Sequence, residues 1–322
     1  MVTMTYAEAA REALAAEMRA DPSVWCVGED LGRGGVFGQY KGLREAFGPE
    51  RVSDAPISEA AIMGAAFGAA MVGTRPVVEM RFADFALCAT DELVNQVAKA
   101  RFMFGGQSRA PMVIRKPMGM WRSSAAQHSQ SLESWYAHIP GLVVAVPATP
   151  QDNYAMMRAA IRADDPVVYM EHKNIWTMEG EVDPDAPYDW GTARTRTEGG
   201  DVTIVAWSDT ANAAERAAGT LAADGIGAEV IDLRTLWPWD KAGVIASVRR
   251  TGRLLVAHES VSVGGFGGEV VATVAAEAWD ALAAPPRRLA APRSLIPYAP
   301  NLEDQLRVTE DMIAAAAREM CA

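Results

Sequence analysis

Two residues carry most of the chemistry open to this sequence, Glu59 and His128. Glu59 is the one charged side chain in the run "SEAAIMGAAFGAAMVG", Ser58 to Gly73. A carboxylate in the first turn of a helix is favoured by the helix macrodipole, which would be reason enough for it. The rest of the run is Ala, Gly, Ile, Met, Phe and Val, apolar on every face. That pattern predicts a helix packed on all sides, with neighbouring backbones close by. An acid entering such a place is costly to ionise unless it is paired, so a functional acid is the other reading. The residues alone leave both open. Ser58 is the candidate N-cap, and Ala61 three residues later excludes a capping box. His128 lies in "RSSAAQHSQSLE" among Gln127, Ser129 and Gln130. It reads as a solvated loop histidine, or as a general acid/base or donor to a developing oxyanion.

Other candidates are weaker. His172 and His258 end strand-like runs, where α/β proteins build sites, and read as capping or interface residues. "GEDLGRGGVFGQYKGL" has neither the spacing nor the lysine of a phosphate loop. "SVGGFGGEVV" follows a strand and opens a helix, so it supports a nicotinamide-binding reading. Against that, "VTIVAW", the first strand of the C-terminal half, has no glycine turn after it. No GxSxG or HExxH motif is present.

The elements that must hold these residues alternate. Strand-like runs are "SVWCVGED", "TRPVVEMRF", "APMVIRKP", "GLVVAVPA" and "DPVVYMEHK". Between them lie helical patterns in "TDELVNQVAKARFMF" and "TPQDNYAMMRAAIRADD", the second starting at Thr149-Pro150. Thr5 and Glu8 form a capping box for an N-terminal helix. A polar stretch rich in Pro, Gly and Asp follows, then a second series: "VTIVAW", a helix capped by Ser208 or Asp209, "GAEVIDL", "DKAGVIASVRRTG", "RLLVAHES" and "GGEVVATVAAEAWDALAAP". The fold class is α/β, two domains with mainly parallel sheets, at 1–185 and 201–322 with a linker at 186–200.

The 322 residues suffice for two cores. Net charge is -11 and no basic block stands out, which argues against a nucleic-acid partner. Three scattered cysteines, Cys26, Cys88 and Cys321, offer no structural zinc site. The longest apolar run, 60–73, is too short to span a bilayer, and the start is no signal peptide; the expectation is a reduced, cytoplasmic protein without a membrane partner.

Taken in order, "GEDLG", "KGLREAFGPERVSDAPISEAAIMGAAFGAAMVGTRPVVEMRFADF", "NQVAKARFMFGGQ", "AAQHSQSLESWYAHIPGLVVAVPATPQDN", "DPVVYMEHK", "VIDLRTLWPWD", "TGRLLVAHE" and "GGFGGEV" resemble the β subunit of the thiamine-diphosphate-dependent 2-oxo acid dehydrogenase (decarboxylating) component, of pyruvate or acetoin type. The resemblance runs from about Tyr6 to the C-terminus. It implies a pyrimidine-binding domain followed by a transketolase-type C-terminal domain. It implies that Glu59 hydrogen-bonds the aminopyrimidine ring of thiamine diphosphate and drives ylid formation, with Phe85 packed on that ring and Ile57 and Cys88 beside it. His128 then stands by the reacting carbon and serves acyl transfer to a lipoyl group. The family's Gly-Asp-Gly motif for diphosphate and Mg²⁺ is absent, so the resemblance implies an α subunit carrying it, an α₂β₂ tetramer, and a lipoyl acyltransferase partner. Some relatives hold K⁺ on backbone carbonyls, which here would fall near Ala160, Ala163 and Asp165. Where relatives are commonly glycine-rich before the histidine, this chain has "MGMWRSSAAQH"; Trp121 and Arg122 bear on the substrate. A split transketolase-like ketol transferase, or an acyl-transferring variant of specialised metabolism, is the alternative. A sugar phosphate would need Arg115, Lys116 or Arg122.

Overall fold

The computed structural model describes residues 1–322. The chain forms two compact units, Met1–Met118 with Trp135–Asp189, and Gly119–Ser134 with Trp190–Ala322.

The first unit is built on parallel strands in the spatial order Val143–Ala145, Val167–His172, Val113–Met118, Arg75–Glu79, Val24–Gly28, Val52–Asp54. Val113–Met118 and Val167–His172 are buried along their whole length, the pattern of strands covered on both faces. Helices Tyr6–Ala20 and Pro150–Arg162 pack together. The first begins with the expected capping box between Thr5 and Glu8. The second begins with Pro150 at its first turn and Thr149 accepting from the Asp152 N–H. Each such cap is worth about 1 kcal/mol.

The second unit carries a five-stranded sheet in the order Arg287–Ala291, Leu254–Val261, Val202–Ala206, Ala228–Asp232, Arg194–Thr197, the last antiparallel. Helices Ser208–Ala223, Lys241–Thr251, Gly267–Glu277 and Glu310–Cys321 accompany it. Asp240 caps Lys241–Thr251 by accepting from the Gly243 N–H. Ser208–Ala223, by contrast, has no side-chain cap: Trp207 is its N-cap residue, and Ser208 lies inside the helix with φ 54°. No helix is long and apolar enough to cross a membrane. All three cysteines are free.

Four further expectations differ from the structure. The linker drawn at 186–200 contains the strand Arg194–Thr197, whose pairing partner is more than thirty residues ahead in sequence. Residues 119–134, placed in the first domain, cluster with the second unit. They are tied there by Glu259, which accepts from the Met120 N–H (2.8 Å) and the Ser131 hydroxyl (3.0 Å), and by Glu303, which accepts from the Ser123 N–H (2.9 Å). The single helix expected over 90–104 is broken into a π-helical turn, Glu92–Val97, and a short α-helix, Ala100–Met103. The Ala98 N–H reaches the Leu93 carbonyl, adding one residue to that turn. The apolar helix Glu59–Met71 is not packed on all sides. It buries Ile62, Met63, Ala66 and Ala70 and leaves Ala61, Ala65, Gly68 and Met71 exposed.

Candidate active site

Glu59 is the first residue of its helix, where its carboxylate meets the positive end of the macrodipole. Ser58 precedes it as the N-cap residue, but its side chain makes no capping bond. Glu59 is half-buried and has no hydrogen bond or ion pair within the chain. The helix packs against the 3₁₀ turn Phe85–Ala89, so the unit brings Glu59 and Phe85 onto adjoining elements. Phe85 is half-buried, with its ring edge-to-face on Phe82 at 5.3 Å and 89°. The Lys173 ammonium lies over the Phe82 ring, 4.8 Å from its centroid. Cys88 is exposed on the same turn, and Ile57 is 77% exposed just before the helix. Glu59, Phe85 and Cys88 thus lie on two adjoining elements of the first unit, with Ile57 just ahead of the helix.

What aims Phe82 and Phe85 is Arg81, which the sequence did not single out. Its φ of 45° turns the chain out of the Arg75–Glu79 strand. Arg81 then bridges Glu29 and Asp30, each at 3.2 Å. A left-handed arginine costs of order 1 kcal/mol or more and persists only where its surroundings hold it. No residue type announces that in a sequence.

Beneath lies a buried charge cluster. Arg115, fully buried, makes a fork with Glu171, one arm at 2.9 Å, and lies 3.9 Å from Glu79. Its guanidinium also stacks over Tyr40 (5.2 Å). Asn153 donates to Glu171 (3.0 Å) and to the Tyr6 carbonyl (2.8 Å). Burial pushes the Glu79 carboxyl up to about 7, against the pull of Arg115. Lys116 points to the other face of the sheet. It is fully buried, its Nζ 3.6 Å from the Tyr136 ring centroid, and burial drives its pKa well down. Neither Arg115 nor Lys116 can meet a substrate phosphate, so the role considered for them fails.

The turn around Ala160, Ala163 and Asp165 faces guanidinium groups. Arg75 Nη1 donates to the Ile161 (3.1 Å) and Ala163 (2.8 Å) carbonyls. Arg101 Nε donates to Asp165 (2.6 Å), and the Ala160 carbonyl accepts from the Ala163 N–H. Arg75 and Arg101 already supply positive charge at this turn.

His128 belongs to the second unit, half-buried on the segment 119–134. Three non-glycine residues of that segment are left-handed: Arg122 (φ 45°), Ser123 (60°) and Ala125 (59°). A cavity of about 120 Å³ opens beside it, lined by Ser129, Gln130, Ser131, Glu259, Leu295 and Ile296 among others. Ser129 is fully buried there with its hydroxyl unpartnered.

The glycine turn "GGFGG" has a packing explanation. The His258 imidazole is buried and stacked on Trp207 (5.0 Å, 14°), and its Nδ1 meets Ser260. A Cβ on Gly265 or Gly267 would lie 2.6 or 2.7 Å from that ring. The glycines make room for a histidine and are not a phosphate cradle, which removes the support for a nicotinamide site. Burial pushes His258 down to about 4. His172 is also structural, its Nδ1 accepting from the Asn174 N–H at 3.2 Å.

The profile described as "Transketolase, pyrimidine binding domain" matches residues 2–177, and "Transketolase, C-terminal domain" matches 191–313. The chain is 40% identical to 2-oxoisovalerate dehydrogenase subunit beta of Bacillus subtilis, over 99% of each. It is 43% identical to acetoin:2,6-dichlorophenolindophenol oxidoreductase subunit beta of Cupriavidus necator, over 97% of this chain and 95% of that one. The chain belongs to the β-subunit family of the 2-oxo acid and acetoin dehydrogenases. A mitochondrial pyruvate dehydrogenase E1 component subunit beta-2 of Oryza sativa is 43% identical over 99% of this chain and 86% of its own length. Within this β-subunit family the fold is that of the transketolases. A split-gene transketolase structure, titled as an inactive beta4 tetramer, superposes with a TM-score of 0.82 at 24% identity, covering 99% of this chain and 98% of the other.

Proposed function

We propose that the chain is the β subunit of a thiamine-diphosphate-dependent 2-oxo acid or acetoin dehydrogenase component. It acts only with an α subunit, in an α₂β₂ assembly, and passes the acyl or hydroxyalkyl unit to a lipoyl carrier. The observation that carries this reading is Glu59: an unpartnered carboxylate at the head of an apolar helix, on an element adjoining Phe85.

The cofactor, when bound, supplies a nucleophilic carbon for attack on the 2-oxo carbonyl. The chain's own residues do the rest. Glu59 shares a proton with a pyrimidine nitrogen. The rigid helix fixes its direction, and apolar neighbours keep water from competing for that bond. Phe85 offers its face to the ring, and Ile57 and Cys88 border it. His128 holds or donates a proton at the oxygen of the reacting carbon and serves transfer to the carrier.

The site is incomplete without a partner. The sequence has no Gly-Asp-Gly for a diphosphate and Mg²⁺, and no three His, Cys, Asp or Glu side chains converge to hold a metal ion. We assign both to the α subunit. The exposed Ala61, Ala65, Gly68 and Met71 face, and exposed Phe102 (87%) and Met103 (72%), support an apolar subunit interface.

The test is co-expression with a candidate α chain carrying Gly-Asp-Gly. Purification as a 2:2 complex that turns over a 2-oxo acid or acetoin, with either chain alone inactive, is the expected result. Full turnover by this chain alone would remove the two-subunit claim.

A further inference from the structure

Resting on the reading just given, in which His128 stands at the reacting carbon, we propose that Arg122 recognises an anionic group at the far end of the substrate, a carboxylate or a phosphate. Three cations precede His128 in this part of the sequence, Arg115, Lys116 and Arg122. The structure removes two of them, because Arg115 and Lys116 are fully buried. Arg122 is exposed and makes no hydrogen bond or ion pair. In a chain of net charge -11, Arg122 is one of a few exposed arginines without an acidic partner, with Arg19, Arg33 and Arg293. Most other arginines here are paired, as Arg81, Arg101 and Arg196 are.

Nor is Arg122 loose. Its guanidinium carbon lies 5.3 Å from the centroid of the Trp121 ring, a stacking that leaves the N–H edge free. The backbone on both sides is pinned. The Met120 N–H donates to Glu259 and the Ser123 N–H to Glu303, while Arg307 donates to the Met120 carbonyl at 3.1 Å. Arg307 is itself ion-paired with Glu303. Both nearby acids are thereby committed to backbone and to Arg307, which leaves Arg122 uncompensated. Left-handed φ values at Arg122 and Ser123 complete a turn that a flexible loop would relax. A planar, pre-positioned fork of donors on the His128 segment suits bidentate recognition of carboxylate or phosphate.

Binding to the assembled α₂β₂ protein is measured by isothermal titration for pyruvate, 2-oxoglutarate and xylulose 5-phosphate, with wild type, Arg122→Met and Arg122→Lys. Steady-state turnover is followed alongside. Arg122→Met is expected to weaken one of the two tailed ligands by about 10- to 100-fold, the scale of a lost charged hydrogen bond. Pyruvate and kcat should be unaffected, and Arg122→Lys should recover part of the loss. A selective loss for 2-oxoglutarate identifies a carboxylate tail, and one for the ketose phosphate identifies a phosphate. Equal effects on pyruvate and the tailed ligands, or no effect on any, overturn the proposal and leave the dehydrogenase reading standing. Arg122-dependent binding of a tailed ligand without its turnover supports the anion subsite and excludes that ligand as the substrate.

Discussion

Acid should destabilise the second unit through His258, and by an amount the structure sets. The imidazole is fully buried, stacked on Trp207, with Nδ1 at Ser260 and Nε2 unpartnered against the glycine turn. Its pKa falls from 6.5 to about 4, first because burial disfavours the charged ring. The unfolded chain therefore takes up the proton first. The stability this neutral ring contributes is intact above pH 6.5 and is lost as pH falls toward 4. Linkage gives a loss of about 2 kcal/mol at about pH 5, rising toward about 3 kcal/mol near pH 4. Other groups near the ring are Glu133, which bonds Trp207 Nε1, Glu259, whose charge raises Glu133, and Arg288, whose charge adds to the fall at His258. Comparing wild type with His258→Phe at each pH cancels their common contribution. Urea unfolding is followed by tryptophan fluorescence at pH 7.5 and 5. The stability difference between the two proteins should shift by about 2 kcal/mol in favour of the phenylalanine variant at the lower pH. A difference that stays the same at both values would refute the claim that the ring is buried neutral.

Three further outcomes follow from the same contacts. Gly267→Ala places a Cβ 2.7 Å from His258 Nε2 and should cost about 1–3 kcal/mol by overpacking, read as a lowered urea midpoint; an unchanged midpoint would show that the turn yields freely. Arg115→Met strands Glu171 and Glu79 in the interior and should cost about 3–5 kcal/mol, with low expression as its first sign; wild-type stability would mean that the cluster is not held as described. His128→Ala should slow transfer to a lipoyl acceptor by about 100-fold or more while cofactor affinity stays within a few-fold; an unchanged transfer rate rejects its role.

Much of the architecture was legible because it rests on local signals. Alternating apolar runs mark the strands, and Thr5 and Thr149 cap their helices by accepting from backbone N–H groups three residues ahead. What could not be read depends on partners distant in sequence. Residues 119–134 join the second unit through Glu259 and Glu303, more than a hundred residues on. The strand Arg194–Thr197 is polar enough to pass for a linker, because it pairs at a sheet edge. Arg115 and Lys116, candidates for a sugar phosphate, lie at the centre of a strand buried along its whole length. Glu59 shows both sides of this. Its apolar company marks it as unusual, and that company predicts an enclosed helix. Within this chain one face of the helix stays open.

The central claim is that Glu59 is the acid that works the cofactor. It is tested most directly by hydrogen–deuterium exchange at the thiazolium carbon of thiamine diphosphate bound to the assembled α₂β₂ protein, wild type against Glu59→Gln, by quenched-flow NMR. The account predicts that the substitution slows exchange by about 100-fold or more, the scale of a lost acid/base group, while the complex stays assembled and the cofactor bound. Exchange at the wild-type rate in an intact, loaded Glu59→Gln complex would contradict it.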